Sequence, residues 1–353
     1  MSKLITVLDL GSSKIAALRA LVNTDGSTLI IAAENMHSRG ITRGDITDID
    51  KATDDVSSIM RKLERGMPKK AKKVFVTTRG ADVKMDISRG MIPLSSIPRE
   101  ITKKDVKKCL EMASMIRLPL DIAVVERFVR AFYVDRESPG VQNPVGLYGI
   151  KLEAETFIAL ANRSKIRNIT KCIDHAGLLL DGICLSILAS AESVLGEGDK
   201  EKGVLLCDIG ESLTEVAFFK NGALKNFSTI KEGAKAVLND NGGTDKEKLE
   251  SLLKKVLASV PAASKEASSV VITGGGALLD GVIEEAEKVF ATHARIGIAR
   301  QAGRSLNSQD AIIHTSTIGL ATRMAWEYKL RHSGKGFIER TFGRISDIYE
   351  SYF

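Results

Sequence analysis

Three glycine-bearing turns, each placed directly after a short apolar run, constrain the fold of this chain more than any other feature. They are VLDLGSSK at 7–14, CDIGESLTEV at 207–216 and VITGGGALL at 271–279. In such a turn the backbone N–H groups can face an anion, because no Cβ blocks the approach. Three turns in this order, with the second opening the second part of the chain, predict a nucleotide held between two domains.

The first two turns each follow an aspartate at the end of a predicted strand, Asp9 and Asp208. Carboxylate oxygens are ligands that a hydrated Mg²⁺ prefers, so both residues are candidate metal ligands. Lys14 could reach a phosphate, and a lysine that only faces solvent is an equal alternative. For the third turn, a tight strand-to-helix connection without any ligand is the competing interpretation.

The composition excludes several classes of protein. Of the 353 residues 44% are apolar and 27% are charged, which is ordinary for a globular protein. The net charge of +7 would suit nucleic acid or anionic lipid, but the basic residues are scattered and only five tyrosines and one tryptophan could stack on bases. Nucleic acid is therefore not a predicted partner. The four cysteines form no C-x-x-C pair and the five histidines show no ligand spacing.

The N-terminal run MSKLITVLDL lacks the long apolar region of a secretory signal, and no stretch of eighteen apolar residues exists. The sequence therefore predicts a cytoplasmic protein with no helix that crosses a membrane.

The same strand–turn–strand order occurs twice. Strands are predicted at 4–10, 15–21, 28–34, 204–209 and 214–220. This internal repeat indicates two related half-domains. The charged segment 196–203, GEGDKEKG, is the predicted hinge between them. Single helices are predicted at 278–290 and 311–328.

The three turns resemble the phosphate and adenosine motifs of the actin-like ATPase superfamily. DLGSSK at 9–14 is similar to the first phosphate motif, DIG at 208–210 to the second, and GGGA at 274–277 to the adenosine motif. The resemblance implies an α/β fold of two actin-like (ribonuclease H-like) halves that hold ATP with Mg²⁺, Asp9 and Asp208 being the metal ligands. The implied nucleotide-binding residues are Asp9, Gly11, Ser12, Ser13, Lys14, Asp208, Gly210, Ser212, Thr214, Gly274, Gly275, Gly276 and Ala277.

Other segments narrow the resemblance to the FtsA family of bacterial cell-division proteins. Residues 87–113 and 143–161 are similar to that family's inserted subdomain, and 169–195 is similar to the return of the chain into the first half. The implied domains are a first half at 1–85 with 162–200, an inserted subdomain at 86–161, a second half at 201–330, a linker at 331–336 and an amphipathic helix at 337–353. Because the insertion enters and leaves through neighbouring strands, its excision is predicted to leave a foldable core.

Two departures from the family pattern concern the ligands. Where the family continues with glycine, this chain has Glu211, whose charge opposes a phosphate. Two like charges about 4 Å apart repel by about 4 kcal/mol at an effective dielectric constant near 20, so weakened ATP binding is predicted. The region near 234–269 is also shorter than the family's subdomain, which contacts adenine and the tail of the tubulin-like protein FtsZ. An FtsZ-like tail is therefore an alternative partner only.

The C-terminal segment 337–353 is amphipathic, with one apolar and one charged helical face. A short segment behind a polar linker has little core to pack into, so it is predicted to lie in a membrane interface and to contact anionic lipid. Packing against a partner or into a groove of a domain is the alternative. The predicted membrane-binding residues are Phe337, Ile338, Phe342, Ile345, Ile348, Tyr349, Tyr352 and Phe353.

The sequence thus predicts an FtsA-like cytoskeletal protein that assembles with copies of itself on the inner face of the cell membrane, as a peripheral protein, and recruits the cell-division proteins of the divisome. ATP would act as a structural ligand or a switch. Hydrolysis would be slow at most, since no nucleophile–base pair is recognisable. The alternatives are a pilus-assembly adaptor of the same fold, a pseudo-ATPase scaffold without nucleotide, and an ATP-using kinase or chaperone-like enzyme.

Overall fold

A computed structural model of the chain describes residues 2–80, 82–136, 140–302 and 306–332. The first two ranges form β1 (Ser2–Leu10), β2 (Lys14–Asn23), β3 (Thr28–His37), β4 (Ile41–Thr42), β5 (Asp45–Ile46), α1 (Ile49–Leu63), β6 (Lys73–Thr78), β7 (Lys84–Pro93), β8 (Arg99–Glu100), α2 (Lys103–Ser114) and β9 (Ile122–Val134). The other two form β10 (Tyr148–Gly149), β11 (Lys151–Asn162), α3 (Arg163–His175), β12 (Leu179–Leu185), α4 (Ser186–Val194), α5 (Glu197–Lys202), β13 (Val204–Ile209), β14 (Thr214–Lys220), β15 (Ala223–Ile230), α6 (Ala234–Val237), α7 (Lys246–Ser259), α8 (Pro261–Glu266), β16 (Ser269–Thr273), α9 (Val282–Phe290), β17 (Ala294–Ile296), α10 (Ser308–Ile313) and α11 (Thr315–His332).

Two five-stranded sheets of the same topology form the centre of the molecule. The first has the order β3-β2-β1-β6-β12, in which β1 to β3 are antiparallel neighbours and β6 and β12 run parallel to β1. The second has the order β15-β14-β13-β16-β17 with the same strand directions. The repeat read from the sequence is therefore a repeat of topology.

The central strands are buried on both faces, which is why they appear in the sequence as continuous apolar runs and not as alternating patterns. Every residue of β13 is buried, as are the last six residues of β1. One apolar core joins the halves, because Leu8 and Val76 of the first belong to the same cluster of buried side chains as Leu206 and Ala217 of the second.

The segment between β6 and α3 forms a lobe with its own sheet. Its strands have the order β7-β11-β9, all antiparallel, and α2 packs on β7 and β11. The helix begins at a capping box in which the Thr102 side chain accepts from the Asp105 N–H and the Asp105 carboxylate accepts from the Thr102 N–H. A separate small core that includes Ile101, Val106 and Leu152 stabilises the lobe.

The lobe is also anchored in the first half, which argues against the predicted clean excision. Phe157 of β11 and Val125 of β9 belong to the large core. The buried Glu126 carboxylate of β9 pairs with Arg323 of α11 and accepts from the Leu185 N–H at 3.2 Å. Removing the lobe would take from Arg323 its Glu126 partner and leave it only the more distant Glu327 carboxylate at 3.9 Å, which is destabilising.

Three local predictions are corrected by the structure. The predicted hinge at 196–203 contains α5, because the Asp199 carboxylate accepts from the Gly196 N–H at 2.8 Å and starts a helix there. The predicted helix at 311–328 is divided into α10 and α11 at His314. The predicted helix at 278–290 begins only at Val282, after Gly281.

The region near 234–269, predicted to be a shortened subdomain, contains α6, α7 and α8. The apolar face of α7, with Leu249, Leu252 and Leu253, packs into the core of the second half. None of the helices in the described ranges is long and apolar enough to span a bilayer. The predicted amphipathic helix at 337–353 lies outside the described residues.

Candidate functional site

The first and second glycine turns meet in a cleft between the two halves. Each is the tip of a hairpin, in which Gly11 and Gly210 donate their N–H groups to the carbonyl oxygen three residues later, at 3.0 and 2.9 Å. The Ser212 hydroxyl donates to the Ser12 hydroxyl at 3.1 Å across the cleft. The two turns therefore contact each other directly, and the N–H groups of both glycines are already used.

The turns line a cavity of about 460 Å³, a size within the usual range of small-molecule sites. Ten of the thirteen predicted nucleotide-binding residues line it: Asp9, Gly11, Ser12, Ser13, Lys14, Asp208, Gly210, Ser212, Gly274 and Gly275. The remaining three do not. Thr214 is fully buried and donates to the Glu232 carbonyl at 2.9 Å, and Gly276 and Ala277 are the buried residues of the third turn.

A guanidinium group lies between the two predicted metal ligands. Arg79 directly follows β6, and its Nη1 atom is 3.2 Å from Asp208 Oδ1 while its Nη2 atom is 3.7 Å from Asp9 Oδ2. All three residues are buried. Burial alone would raise the pKa of Asp9, but the charge of Arg79 holds that pKa below its ordinary value. Burial opposes the charged form of Arg79, yet the neighbouring carboxylates of Asp208 and Asp9 raise its pKa.

Hydroxyl groups complete the coordination of both carboxylates. Asp9 accepts from Thr77 Oγ1 at 2.7 Å and from Ser186 Oγ at 3.1 Å, and Asp208 accepts from Ser190 Oγ at 3.2 Å. The donor set does not fit Mg²⁺ between the aspartates, because the Arg79 guanidinium lies there and hydroxyl groups already bond to Asp9 Oδ1 and Asp208 Oδ2. In the part of the chain that the structure describes, no cluster of three or more His, Cys, Asp or Glu side chains could hold a metal.

Glu215 adds a third carboxyl group next to Arg79. It lies opposite Asp208 in the pairing of β13 with β14 and is fully buried. Neither of its carboxylate oxygens has a hydrogen-bond partner among the described residues. Burial raises its pKa to about 8, against the attraction of Arg79. At neutral pH Glu215 is therefore mostly protonated, and Arg79 balances chiefly the two aspartates.

The glycines of the third turn have different roles. Gly274 has a φ of +79°, and a Cβ there would lie 2.4 Å from Asp208 Oδ1. A Cβ on Gly276 would lie 2.2 Å from the Ile209 side chain, whereas one on Gly275 would meet nothing within 4 Å. Two of the three glycines are thus explained by close packing on the second turn, and only Gly275 opens to the cleft.

Lys14 and Glu211 lie at the rim of the cavity. The Lys14 ammonium donates to the Ile313 carbonyl at 2.9 Å, and burial lowers its pKa to about 8. Glu211 lines the cavity, and its carbonyl oxygen accepts from the Lys235 N–H at 2.9 Å, which attaches the turn to α6. The predicted effect of Glu211 on ATP binding stays a prediction.

Sequence reasoning missed Arg79, Ser186 and Ser190. A signal for Arg79 existed, because the carboxyl ends of parallel strands meet at one edge of a sheet and Arg79 follows the strand next to β1. The two serines are one turn apart on α4, so each reaches one aspartate, but nothing local in the sequence links them to the glycine turns.

Two halves of one topology around a cleft with an aspartate on each side define an actin-like protein. Solved structures agree with this class. The PilM–PilN type IV pilus biogenesis complex matches with a TM-score of 0.62 at 11% identity, covering 91% of this chain and 98% of that one. The ethanolamine utilization protein EutJ from Carboxydothermus hydrogenoformans matches with a TM-score of 0.51 at 13% identity, covering 91% and 89%. At these identities the likeness shows the fold alone.

Sequence relatives define the family. The family model described as the SHS2 domain inserted in FTSA matches residues 80–159, which include most of the lobe. The cell division protein FtsA of Neisseria meningitidis serogroup B is 27% identical over 85% of this chain and 84% of its own length. That of Pseudomonas aeruginosa is 31% identical over 67% of this chain and 56% of its own length. The chain is therefore FtsA-like and has the actin-like fold.

Proposed function

We propose that this protein is an FtsA-like scaffold of bacterial cell division, which assembles with copies of itself on the inner face of the membrane and recruits other division proteins. The relatives named cell division protein FtsA and the matched inserted domain support this role. A scaffold needs no ATP hydrolysis, which agrees with a cleft in which Arg79 pairs with both aspartates. A pilus-assembly role is supported only by likeness of fold.

The observation that carries self-assembly is the apolar surface of the lobe. Among the described residues, nine of the seventeen large apolar side chains that are exposed lie in the lobe, which is less than a quarter of the chain. They are Ile87, Met91, Ile97, Met112, Met115, Leu120, Leu147, Tyr148 and Ile150. Concentrated exposed apolar side chains are typical of interaction sites, whereas scattered ones are ordinary. The proposed occupant is a second copy of this chain.

Charge placed on this surface tests the assembly role. Met115 and Leu120 are 73% and 93% exposed, so Met115→Glu with Leu120→Glu should leave the fold intact and prevent filaments on lipid vesicles. The control is Leu29→Glu, at a side chain that is 54% exposed outside the lobe. Electron microscopy and sedimentation provide the measurements. Filaments that persist in the double variant would contradict the proposed role of the lobe.

The membrane part of the proposal rests on residues 337–353, which lie outside the described residues. Half-burial of eight large apolar side chains is worth several kcal/mol, at about 1 kcal/mol each. Ordering the peptide offsets part of this, so one tail should bind weakly and a polymer tightly. Ile345→Asp should abolish vesicle binding, whereas Ser346→Asp adds the same charge beside the apolar face and should retain most of it. Equal co-sedimentation of both variants would refute the membrane tether.

A further inference from the structure

Arg79 contacts an aspartate of each half, and this position gives it a role that the sequence assigned to a metal. It belongs to the first half and reaches Asp208 of the second at 3.2 Å, with Asp9 of its own half at 3.7 Å. A guanidinium is always protonated and can contact two carboxylates at once. One side chain therefore supplies a positive charge at the junction where a divalent cation was predicted.

Several of the groups that could receive a phosphate are engaged within the protein. The N–H groups of Gly11 and Gly210 close their own hairpins, and the Ser12 and Ser212 hydroxyls bond to each other. The Lys14 ammonium donates to the Ile313 carbonyl. The contacts across the cleft are thus made by the chain itself.

We infer that Arg79 is a built-in counter-cation that joins the two halves, so that the cleft closes and the protein assembles without Mg²⁺-nucleotide. Its assembly part rests on the self-assembly proposed above, whereas the closure of the cleft does not depend on assembly, on the membrane role or on the partner proteins. It predicts that a bound cation becomes necessary only when Arg79 is removed.

The native protein provides the first test. A ligand that binds the folded state raises the unfolding temperature according to its concentration relative to Kd. We expect 5 mM MgCl₂ with 5 mM ATP to shift the midpoint of native unfolding by less than about 1 °C, compared with the same ionic strength of NaCl. A shift of several degrees, or filaments that form only with Mg²⁺-ATP, would overturn the inference.

Removing the guanidinium provides the second test. Arg79→Ser should lower the unfolding midpoint by about 5 °C or more, because two buried carboxylates lose their counter-charge. Millimolar Mg²⁺ alone should restore most of that loss. If Arg79→Ser does not fold in its absence, refolding with and without Mg²⁺ gives the same comparison.

A neutral triple variant is the matched control. Arg79→Met with Asp9→Asn and Asp208→Asn removes both the guanidinium and the need for a cation. The unfolding midpoint of this triple variant should not change when Mg²⁺ is added. A stable Arg79→Ser protein that ignores Mg²⁺, or a triple variant that responds equally, would show that Arg79 is not acting as a counter-cation.

A separate observation concerns a basic face on the first half, which corrects the view that the basic residues are scattered. Seven cationic side chains are exposed between the end of α1 and the start of β6: Arg61, Lys62, Arg65, Lys69, Lys70, Lys72 and Lys73. The single acid of this segment, Glu64, already pairs with the buried Arg19 at 2.8 Å. Lys73 pairs with Asp181 at 3.1 Å, and the other six cations give the segment a concentrated positive charge.

This basic face adjoins the end of α11, after which the chain continues into residues 333–353. A cavity of about 810 Å³ is lined by the lysines at 69–73 with Met324 and Tyr328 of α11, and two acids, Asp181 and Glu327, also line it. An exposed apolar side chain accompanies them, since Leu179 in the lining is 57% exposed. Exposed lysines beside apolar side chains are typical of a surface that meets an anionic lipid interface.

We propose that this basic face is a second contact with an anionic bilayer, beside the predicted tail. This proposal rests on the membrane location proposed above. Lys69→Glu, Lys70→Glu and Lys72→Glu together should lower binding of the full chain to phosphatidylglycerol-containing vesicles at least tenfold at low salt, since each lysine near an anionic surface contributes. The control reverses three exposed lysines of α7, which lies outside the lobe, Lys246, Lys248 and Lys254, and should bind as the native chain does.

The arms of this experiment separate the two proposals. If Ile345→Asp abolishes binding and the 69–72 reversal leaves it unchanged, the basic face is not a lipid contact while the tether stands. If the native chain binds single-stranded DNA and the reversal abolishes that binding without affecting vesicles, the face serves a nucleic acid and the proposal is wrong.

Discussion

The two halves share one topology but bring different chemistry to the same positions. In the first half Asp9 is paired with Thr77 of the neighbouring parallel strand, and in the second Asp208 is paired with Thr273. Two residues after the threonine, the first half has Arg79 and the second has Gly275. The half with the arginine supplies a cation, and the half with the glycine leaves open space.

The residues opposite the aspartates also differ. Asp9 faces Ala16 across its hairpin, whereas Asp208 faces Glu215. The second half therefore has an additional buried carboxyl group, and the first half has the guanidinium that attracts it. A repeated fold has become an asymmetric cleft in which each half depends on the charge of the other. Exchanging residues between equivalent positions tests this dependence.

The largest effect is expected at the arginine. Arg79→Ser should lower the free energy of unfolding by about 3–5 kcal/mol, because breaking a buried ion pair leaves unpaired charges inside the protein. Gly275→Ser introduces the same residue at the equivalent position of the second half and should change it by less than about 0.5 kcal/mol, since a Cβ there meets nothing. Urea unfolding at pH 7 without Mg²⁺ measures both. Equal losses of unfolding free energy in the two variants would mean that the two equivalent positions contribute equally to stability.

The next effect depends on pH and involves Glu215. Its folded pKa of about 8 lies above the ordinary 4.5, so the folded state binds more protons than the unfolded state between these values. Native stability should therefore fall as the pH rises from about 5 to 8, by up to about 3 kcal/mol. The groups that act on Glu215 are Arg79, Asp208, Asp9 and Lys165.

Glu215→Gln removes this titration. The variant should lose the Glu215 part of the pH slope, which urea midpoints at half-unit intervals would detect. Glu215→Ala introduces the residue found at the equivalent position of the first half, Ala16. It should remove the same contribution to the pH dependence of stability. If the slopes of the native chain and of both variants coincide, Glu215 is not a buried acid with a raised pKa.

A smaller effect is expected at the residue after the paired threonine. The first half has Thr78 there and the second has Gly274. Gly274→Ala should cost about 2 kcal/mol, because its φ is +79° and the added Cβ would lie 2.4 Å from Asp208 Oδ1. Thr78→Ala, which only shortens a side chain, should cost less. Chemical unfolding of the two variants side by side would show whether Gly274 is required because of its close approach to the Asp208 carboxylate.

The sequence predicted the architecture better than the site. The glycine turns and apolar runs predicted two related halves, and ten of the thirteen predicted residues reach one cavity, because strand ends and hairpin tips are local features. The role of Arg79 was not predictable in the same way, since it depends on a contact with Asp208 that joins distant parts of the chain. The α5 helix within the predicted hinge segment was not recognised, because a six-residue helix is too short to show a period.

The smallest effect is expected at Lys14, the second cation of the cleft. The hairpins match so that Lys14 corresponds to Leu213, and Lys14→Leu makes the first turn like the second. The change removes one hydrogen bond to the Ile313 carbonyl, worth about 1 kcal/mol, but also removes the cost of burying an ammonium group. Stability at pH 7 should therefore change by less than about 1 kcal/mol.

Lys14 should also affect the pH dependence of stability. Its folded pKa of about 8 lies below the ordinary 10.5, so the unfolded state binds more protons between these values. Native stability should therefore rise from about pH 8 to pH 10. Lys14→Leu should lack the Lys14 part of that rise in urea midpoints. A loss as large as that of Arg79→Ser would mean that both cations hold the halves together, and the division of roles between the two turns would be wrong.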